Sequence, residues 1–268
     1  MSKYLFGFIG CGNMGGALIT AVAKVVKSKD IAVCDFDKNK VDNFINKFGV
    51  ISLTAKEIAR DCKYVVLGVK PQVIRNAIND IAEELKNRED VVIITMAAGV
   101  EIATILNYIG KDLPVIRIMP NTPVSVGEGM ILYTCKDVLK EDEDLFLSSF
   151  CKAGSFDKLT EDKIDAGCAL SGCGPAFVYM FIEAISDAGV ECGLPRDKAL
   201  MYASQTLLGS AKLVLDGSHP AVLKDAVCSP GGTTIAGVHA LENGGFRGVA
   251  MNAVLKAYEK TLALKNQK

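Results

Sequence analysis

The chain has 268 residues, of which 50% are hydrophobic, and its 30 Lys and Arg nearly balance 31 Asp and Glu, for a formal net charge of −1. This is the composition of a globular protein with length for one large or two modest domains, which excludes a disordered or fibrous chain. Because the charge is balanced and no run of Lys and Arg occurs, nucleic acid is not an expected partner.

Cysteine use and hydropathy indicate the compartment. The nine cysteines are scattered and include no Cys-x-x-Cys pair, so neither a disulfide framework nor a metal site is expected. Free cysteines of this kind are typical of a reducing compartment, which predicts a cytoplasmic protein. The longest uncharged stretch, 166–182, is shorter than the roughly 20 apolar residues of a membrane span and has a turn at its centre, so no membrane segment is predicted.

Apolar runs and helical segments alternate through the first 157 residues. Strands are predicted at 4–9, 31–34, 64–69, 91–96, 115–119 and 129–133. Between them, helical spacing covers 17–26 and 72–85, and Thr54 with Glu57 has the pattern of a capping box. Such alternation predicts an α/β domain over 1–157, built on a buried parallel sheet.

After residue 157 the pattern becomes helical throughout. Helices are predicted at 175–188, 195–215, 234–241 and 247–264, so 158–268 is expected to be a separate all-helical domain. The first of these helices is apolar nearly all round and includes Phe177, Met180 and Phe181. A helix of this kind must be covered on every side, which favours a second subunit as part of its cover.

A glycine motif follows the first predicted strand. Residues 10–15 read Gly10-Cys11-Gly12-Asn13-Met14-Gly15, and the second predicted strand ends in Asp35. In a strand–turn–helix unit such glycines let the backbone approach a pyrophosphate, the helix N-terminus stabilises its charge, and the acid binds a ribose hydroxyl. The motif therefore predicts a Rossmann-type dinucleotide-binding domain. The alternatives are a glycine-rich turn without a ligand, and an Asp35 that only caps the helix beginning near Lys38.

Small and amide residues stand at the ends of later strands, where ligands of open α/β sheets bind. Taken singly, Lys70 is explained equally well as a solvated loop lysine, and Asn121 as a turn residue between two prolines. Together with the glycine motif, the following residues are expected to hold the rest of the cofactor: Gly68, Val69, Lys70, Pro71, Ala97, Ala98, Gly99 and Asn121.

The second domain contains a segment rich in hydroxyls and glycines before its third predicted helix. Ser229, Gly231, Gly232, Thr233 and Thr234 would expose several backbone N–H groups to one point, which is typical of an anion site. The alternative is an ordinary N-cap that follows a flexible turn.

The chain has only two histidines, His219 and His239, so a Ser-His-Asp or Cys-His arrangement has few ways to form. Asp225 and His239 could pair, although a lone helical histidine is more often a packed or surface residue. An enzyme with this inventory relies on its cofactor for the difficult chemical step.

Together these motifs resemble the pyrroline-5-carboxylate reductase family over nearly the whole chain. The resemblance is carried by the segments 8–15 (FIGCGNMG), 68–71 (GVKP), 119–123 (MPNTP), 170–176 (LSGCGPA), 193–195 (GLP) and 225–242 (DAVCSPGGTTIAGVHALE). The last segment is similar to the family signature and favours an anion site at 229–234 over an N-cap.

The resemblance implies a Rossmann domain followed by a helical dimerisation domain, and reduction of L-1-pyrroline-5-carboxylate to L-proline by NADH or NADPH. It further implies homodimers, which in the family often assemble into rings. The substrate carboxylate would bind the N–H groups of 229–233, and the Thr234 hydroxyl would bind the ring nitrogen as a candidate proton donor. Two positions depart from the family: Cys173 replaces a usual Ser, and Ala55 replaces an Asn that many members have near the adenosine.

The choice of cofactor and two other protein classes are open at this point. Asp35 favours NADH, because a carboxylate there accepts from the ribose 2′-hydroxyl and repels a 2′-phosphate, although Lys38 and Lys40 are close in sequence. A 3-hydroxy acid dehydrogenase would need a helical acid–base residue, for which Lys256 is available. A non-enzymatic dinucleotide sensor would not need the second anion site at 229–234.

Overall fold

The computed structural model describes residues 2–265, which form two compact units. The first contains the described residues up to Gly172 together with those from Tyr258 onward, and the second is Cys173–Ala257. The boundary predicted at 157 falls inside the first unit, because Ile164 belongs to a buried apolar cluster with Met119 and Leu132. The outer ends of the predicted domains, residue 1 and residues 266–268, lie outside the described residues.

An eight-stranded sheet forms the centre of the first unit. Its strands lie in the order β3-β2-β1-β4-β5-β6-β7-β8, and β1 to β6 are parallel. Every predicted strand is present, with shifted ends at β4, β5 and β7, whereas the short β3 and the edge strand β8 have no counterpart in the sequence prediction. The strands are β1 (Tyr4–Ile9), β2 (Ile31–Cys34), β3 (Ile51–Ser52), β4 (Cys62–Leu67), β5 (Val92–Thr95), β6 (Val115–Met119), β7 (Gly129–Lys136) and β8 (Gly154–Lys158).

The predicted parallel sheet is present in β1 to β6, whereas the last two strands run in the opposite direction. β7 pairs antiparallel with β6, and β8 runs parallel to β7. A parallel return requires a crossover of about a dozen residues or more, but only 120–128 join β6 to β7. The 3-10 turn Thr122–Val126, followed by Gly127 at φ +81°, reverses the chain within that length.

Helices cover both faces of the sheet. Phe6, Phe8 and Tyr64 pack in one apolar cluster with α1, whereas Ile9 and Val65 pack in a second cluster with α3 to α6. Because successive strand residues point to opposite faces, the near-continuous apolar runs of β1 and β4 follow from burial on both sides. The helices of this unit before Gly172 are α1 (Asn13–Val22), α2 (Lys38–Phe48), α3 (Ala55–Asp61), α4 (Ile74–Asn79), α5 (Ala82–Lys86), α6 (Ile102–Ile109), α7 (Lys140–Phe150) and α8 (Glu161–Gly167).

Two local helix predictions have different outcomes. The capping box is confirmed, since the Thr54 hydroxyl accepts the N–H of Glu57 and the Glu57 carboxylate accepts the N–H of Thr54, at 3.2 and 2.8 Å. The single helix predicted at 72–85 is instead α4 and α5, separated by Asp80 and Ile81. Asn79 and Asp80 are weak helix formers that favour turns, which accounts for a break at this point.

One charged side chain lies in the buried part of β6. Arg117 is 0% exposed, and its guanidinium donates to Asp165 Oδ1 at 2.8 Å and to Glu161 Oε1 at 3.2 Å. Glu161 Oε1 also accepts the N–H of Ile102 at 2.8 Å. These bonds tie α8 to β6 and to the first turn of α6.

The second unit is helical, as predicted. All four predicted helices are present, and α11 is additional; the elements are α9 (Gly174–Glu191), α10 (Arg196–Leu215), α11 (Pro220–Ala226), α12 (Thr233–Asn243) and the first part of α13 (Phe246–Lys265). Its buried residues are Ser186, Ala199 and Ala203, while large apolar side chains such as Met180 are more than half exposed. The single chain therefore leaves much of the apolar surface of this unit uncovered.

One described stretch, Glu161–Glu191, is long and apolar enough to cross a membrane by length and composition alone. A π-helical turn, Cys168–Gly172, lies between its α8 and α9 parts. Core helices of soluble proteins pass the same test, so the stretch is weak support for a membrane span.

Candidate active site

The glycine loop brings the carboxyl ends of β1 and β4 into close contact. The N–H of Gly10 donates to the carbonyl of Cys34, and the N–H of Gly68 donates to the carbonyl of Ile9, both at 2.8 Å. Gly10 has φ +108°, and a Cβ on it would lie 2.6 Å from the carbonyl oxygen of Gly68. A Cβ on Gly15 would overlap the carbonyl oxygen of Gly10. Glycine is therefore required at these positions for steric reasons.

The first helix offers an anion site at its N-terminus. α1 begins at Asn13 with Gly12 as its N-cap, and no side chain caps it. A Cβ on Gly12 would meet nothing within 4 Å, so the backbone here is open to a ligand. Uncapped N–H groups at the positive end of the helix dipole, reached through a glycine turn, fit the pyrophosphate of a dinucleotide.

Asp35 is hydrogen-bonded to the glycine loop. Its Oδ2 accepts the N–H of Cys11 at 2.7 Å and its Oδ1 accepts the N–H of Asp37 at 2.9 Å. The helix that follows is capped by Asp37, which accepts the N–H of Asn39, so the alternative in which Asp35 is the helix cap is wrong. A carboxylate has about four lone-pair sites, so Asp35 retains capacity for a ribose hydroxyl. The Lys40 ammonium lies 3.9 Å from Oδ1.

A cleft of about 520 Å³ opens above the carboxyl ends of the strands. It joins predicted residues of the glycine loop and of the β4 end with residues that the sequence analysis did not select. Met96 was missed although it ends a predicted strand, which was the available signal. Met119 and Pro120 belong to the strand-end segment 119–123 that the sequence analysis noted, although it selected only Asn121 from that segment. The cleft is lined by Gly12, Asn13, Met14, Lys40, Gly68, Val69, Lys70, Met96, Met119 and Pro120. Pro71, Ala97, Ala98, Gly99 and Asn121 do not line it.

A smaller pocket lies on the β2 side of the glycine loop. It has a volume of about 170 Å³ and shares Val69 with the larger cleft. Phe36 and Asp80 belong to it and were also missed, since neither occupies a motif position. We call it the β2-side pocket; its lining is Ile9, Gly10, Cys34, Asp35, Phe36, Ala55, Val69, Ala77 and Asp80.

Asn121 is engaged inside the first unit. Its Nδ2 donates to the carbonyl of Ser171 at 3.0 Å, and its Oδ1 accepts the N–H of Met130 at 2.9 Å. The side chain is nearly fully buried and joins the end of β6 to β7 and to the π-helical turn. These two hydrogen bonds give the Asn121 amide a structural role.

In the second unit, the segment 229–234 forms a tight turn into α12. Gly232 is the N-cap, no side chain caps the helix, and Gly231 has φ +68°. The N–H of Gly232 donates to the carbonyl of Ser229 at 3.0 Å. Thr234 is the second residue of α12, so its hydroxyl does not supply the helix cap that the sequence analysis considered for this segment. The first turn of α12 retains the features of an anion site.

The histidines have local partners. His219 Nδ1 accepts the N–H of Ala221 at 3.2 Å and caps α11, and His239 Nε2 lies 3.0 Å from Asn243 Nδ2. Asp225 pairs with Lys224 at 2.8 Å, and in the described part of the chain neither a hydrogen bond nor an ion pair joins Asp225 to His239. Within residues 2–265 no group of three His, Cys, Asp or Glu side chains is placed to hold a metal ion.

The cysteine of the glycine loop is not a nucleophile. Burial raises the pKa of the Cys11 thiol to about 12, and the nearby carboxylate of Asp35 raises it in the same direction. The thiol is therefore protonated at neutral pH, whereas nucleophilic attack requires the thiolate.

The 3-2-1-4-5-6 strand order, the glycine turn and the open N-terminus of α1 define a Rossmann-type dinucleotide-binding protein, the class to which many NAD(P)-dependent oxidoreductases belong. Residues 5–99 match the family described as NADP oxidoreductase coenzyme F420-dependent, and residues 161–264 match the pyrroline-5-carboxylate reductase dimerisation family. The chain belongs to the pyrroline-5-carboxylate reductase family, whose NAD(P)-dependent enzymes catalyse the last step of proline biosynthesis.

Individual relatives match over almost their whole length. The chain is 39% identical to pyrroline-5-carboxylate reductase of Arabidopsis thaliana, with 98% of this chain and 96% of the relative covered. The Escherichia coli K12 enzyme is also 39% identical, with coverages of 95% and 96%. Among solved structures, the Plasmodium falciparum enzyme with NADP bound has a TM-score of 0.87 at 33% identity, covering 99% of both chains. The Coxiella burnetii enzyme has a TM-score of 0.90 at 30% identity, with coverages of 98% and 99%.

Proposed function

We propose that this chain reduces L-1-pyrroline-5-carboxylate to L-proline with NADH or NADPH. The observation that carries the proposal is the 39% identity to pyrroline-5-carboxylate reductases over 98% of the chain. The glycine loop of the first unit and the uncapped N-terminus of α12 in the second supply the two anion sites that a dinucleotide and a carboxylate substrate require.

The direct test follows the absorbance of NADH and of NADPH with purified protein and pyrroline-5-carboxylate, and measures proline formed. One proline per reduced cofactor oxidised is expected. A parallel assay with 3-hydroxy acids and the oxidised cofactors addresses the other dehydrogenase class. No oxidation of either reduced cofactor in the first assay would contradict the proposal.

The cofactor is assigned to the first unit. The pyrophosphate is held by the loop Gly10, Cys11, Gly12, Asn13, Met14 and Gly15, and the adenosine ribose by Asp35. Toward the nicotinamide end the assignment includes Gly68, Val69, Lys70, Pro71, Ala97, Ala98, Gly99 and Asn121. Gly68, Val69 and Lys70 line the 520 Å³ cleft, which supports their assignment. The other five residues lie outside it, and of these Asn121 has its own hydrogen bonds inside the protein.

The substrate is assigned to the second unit. The N–H groups of the segment with Ser229, Gly231, Gly232 and Thr233 bind its carboxylate, and the Thr234 hydroxyl donates to the ring nitrogen. When bound, the reduced nicotinamide supplies a hydride to C5 of the imine. Because a cyclic imine is readily protonated, one hydroxyl that polarises the C=N bond is sufficient polar assistance.

NADH is the proposed preference. Asp35 carries a negative charge at the end of β2, where the ribose 2′-hydroxyl binds in this fold. Lys40 opposes that charge at a distance of 3.9 Å, which is long for a strong ion pair.

A cytoplasmic homodimer without a membrane segment, able to assemble into rings, is the proposed form. The dimerisation-family match begins at residue 161, where the apolar stretch Glu161–Glu191 also begins. A subunit interface accounts for that exposed apolar surface without a bilayer.

A further inference from the structure

The β2-side pocket has walls that suit a flat heterocycle. Phe36, directly after Asp35, is 100% exposed and stands at the rim of the pocket. The lining also includes the small side chains of Ala55 and Ala77. An aromatic ring stacks on a nucleobase at a site of this kind, and a fully exposed Phe contributes nothing to the core.

The pocket continues the cofactor site. It contains Gly10 and Asp35, and it shares Val69 with the larger cleft. In this fold the acid at the end of β2 binds the adenosine ribose, so the base extends beyond Asp35 and away from the nicotinamide end. The occupant that this position indicates is the adenine ring.

Asp80 adds one polar group to the pocket. Among the residues that the structure describes, its carboxylate has no hydrogen bond and no ion pair, and its backbone N–H donates to the carbonyl of Asn76 at 3.0 Å as the C-cap of α4. An acid at the C-terminal end of a helix faces the negative end of the helix dipole, so helix stability does not account for it. The break between α4 and α5 leaves Asp80 at the pocket.

We propose that Asp80 is a specificity-determining residue that reads the adenine base, with its carboxylate accepting the exocyclic amino group while Phe36 stacks on the ring. Adenine carries a donor at its six-position, whereas hypoxanthine carries an acceptor there. A carboxylate beside the six-position therefore attracts the amino group of adenine and repels the carbonyl oxygen of hypoxanthine. The inference rests on the proposed function only in taking a dinucleotide as the ligand.

The test measures binding without substrate, so it is independent of reductase activity. NADH and reduced nicotinamide hypoxanthine dinucleotide are titrated by calorimetry into the wild type and into Asp80→Ala. The wild type is expected to bind NADH about tenfold or more tightly than the hypoxanthine analogue, and Asp80→Ala to bring the two dissociation constants within about threefold, because a hydrogen bond to a charged group is lost. Asp112→Ala removes an exposed acid that precedes the amino end of β6, away from the carboxyl strand ends that line the pocket; it is the matched control and should keep the wild-type ratio.

Phe36→Ala separates stacking from base reading. It should weaken both dinucleotides by a similar factor of about ten or more, because stacking does not depend on the six-position substituent. Equal affinities of the wild type for the two dinucleotides, or an unchanged ratio in Asp80→Ala, would overturn the proposal even if pyrroline-5-carboxylate is reduced normally.

Discussion

The carboxylate of Asp35 accepts the backbone N–H of Cys11 at 2.7 Å, so the acid at the end of β2 is bonded directly to the glycine loop. Both are assigned to the same cofactor, one to its ribose and one to its pyrophosphate. A substitution at Asp35 therefore changes two things: the charge presented to the ribose and the support of the loop.

Replacing Asp35 by Ser should raise kcat/KM with NADPH relative to NADH, because the charge that repels a 2′-phosphate is removed. Asp35→Ser should also weaken both cofactors, since Ser is too short to keep the bond to Cys11. Asp35→Asn is the matched variant: its amide oxygen can keep that bond, so it should shift the ratio with a smaller loss of NADH affinity. An unchanged ratio in both variants would remove Asp35 from cofactor choice.

Thr234→Val should lower kcat by about tenfold to a thousandfold, the loss expected for one positioned polar group, with little change in cofactor affinity. The melting temperature should barely change, because Thr234 lies inside the first turn of α12 and does not cap it. Thr234→Ser, which keeps the hydroxyl, is the control and should retain most of the turnover. A destabilised Thr234→Val enzyme with near-normal kcat would instead indicate a structural role.

Ser229→Ala should raise the substrate KM more than it lowers kcat. The Ser229 hydroxyl lies against Gly232, so removing it should disturb the turn whose N–H groups are assigned to the substrate carboxylate. That contact is felt similarly in the ground state and the transition state. Ser218→Ala, a serine outside this segment in the loop before α11, should leave both constants unchanged. The test is steady-state kinetics with pyrroline-5-carboxylate as the varied substrate. A fall in kcat without a rise in KM would indicate that Ser229 acts in the chemical step instead.

Met180→Glu should convert the oligomer to monomers and abolish activity. Met180 lies on α9 with 69% of its surface exposed in the single chain, in the region matched to the dimerisation family. A buried unpaired carboxylate opposes association. Leu139→Glu places the same charge on an exposed apolar residue of the first unit and should leave the sedimentation coefficient unchanged. A fully active monomer would contradict the prediction.

Arg117→Met should lower the free energy of unfolding by about 3–5 kcal/mol, because it removes the guanidinium that pairs with the buried Asp165 carboxylate. Adding Asp165→Leu should recover part of the loss, since the second change removes that charge. Urea denaturation of the wild type and both variants measures the effect. If Arg117→Met lowers the free energy of unfolding by less than about 1 kcal/mol, the ion pairs of Arg117 stabilise the fold little more than a buried methionine side chain does.

The local chemistry of the chain was readable from its sequence. The glycine motif, the end of β2 in Asp35, the Thr54 capping box and the long helices of the second unit are set by residues close together in the chain, where glycine conformation, hydrogen-bond spacing and apolar periodicity act directly. For the same reason the family resemblance could be stated from short motifs.

What the sequence could not determine depends on residues distant in the chain. The bond between Asp35 and Cys11 follows from the packing of β1 beside β2, and the β2-side pocket forms only when Phe36 and Asp80 are brought to one place. The periodicity of the sequence does not encode such tertiary contacts, because each depends on which strands pair and where the helices between them break. Tertiary packing therefore decided how the predicted residues are held and which unpredicted ones join them.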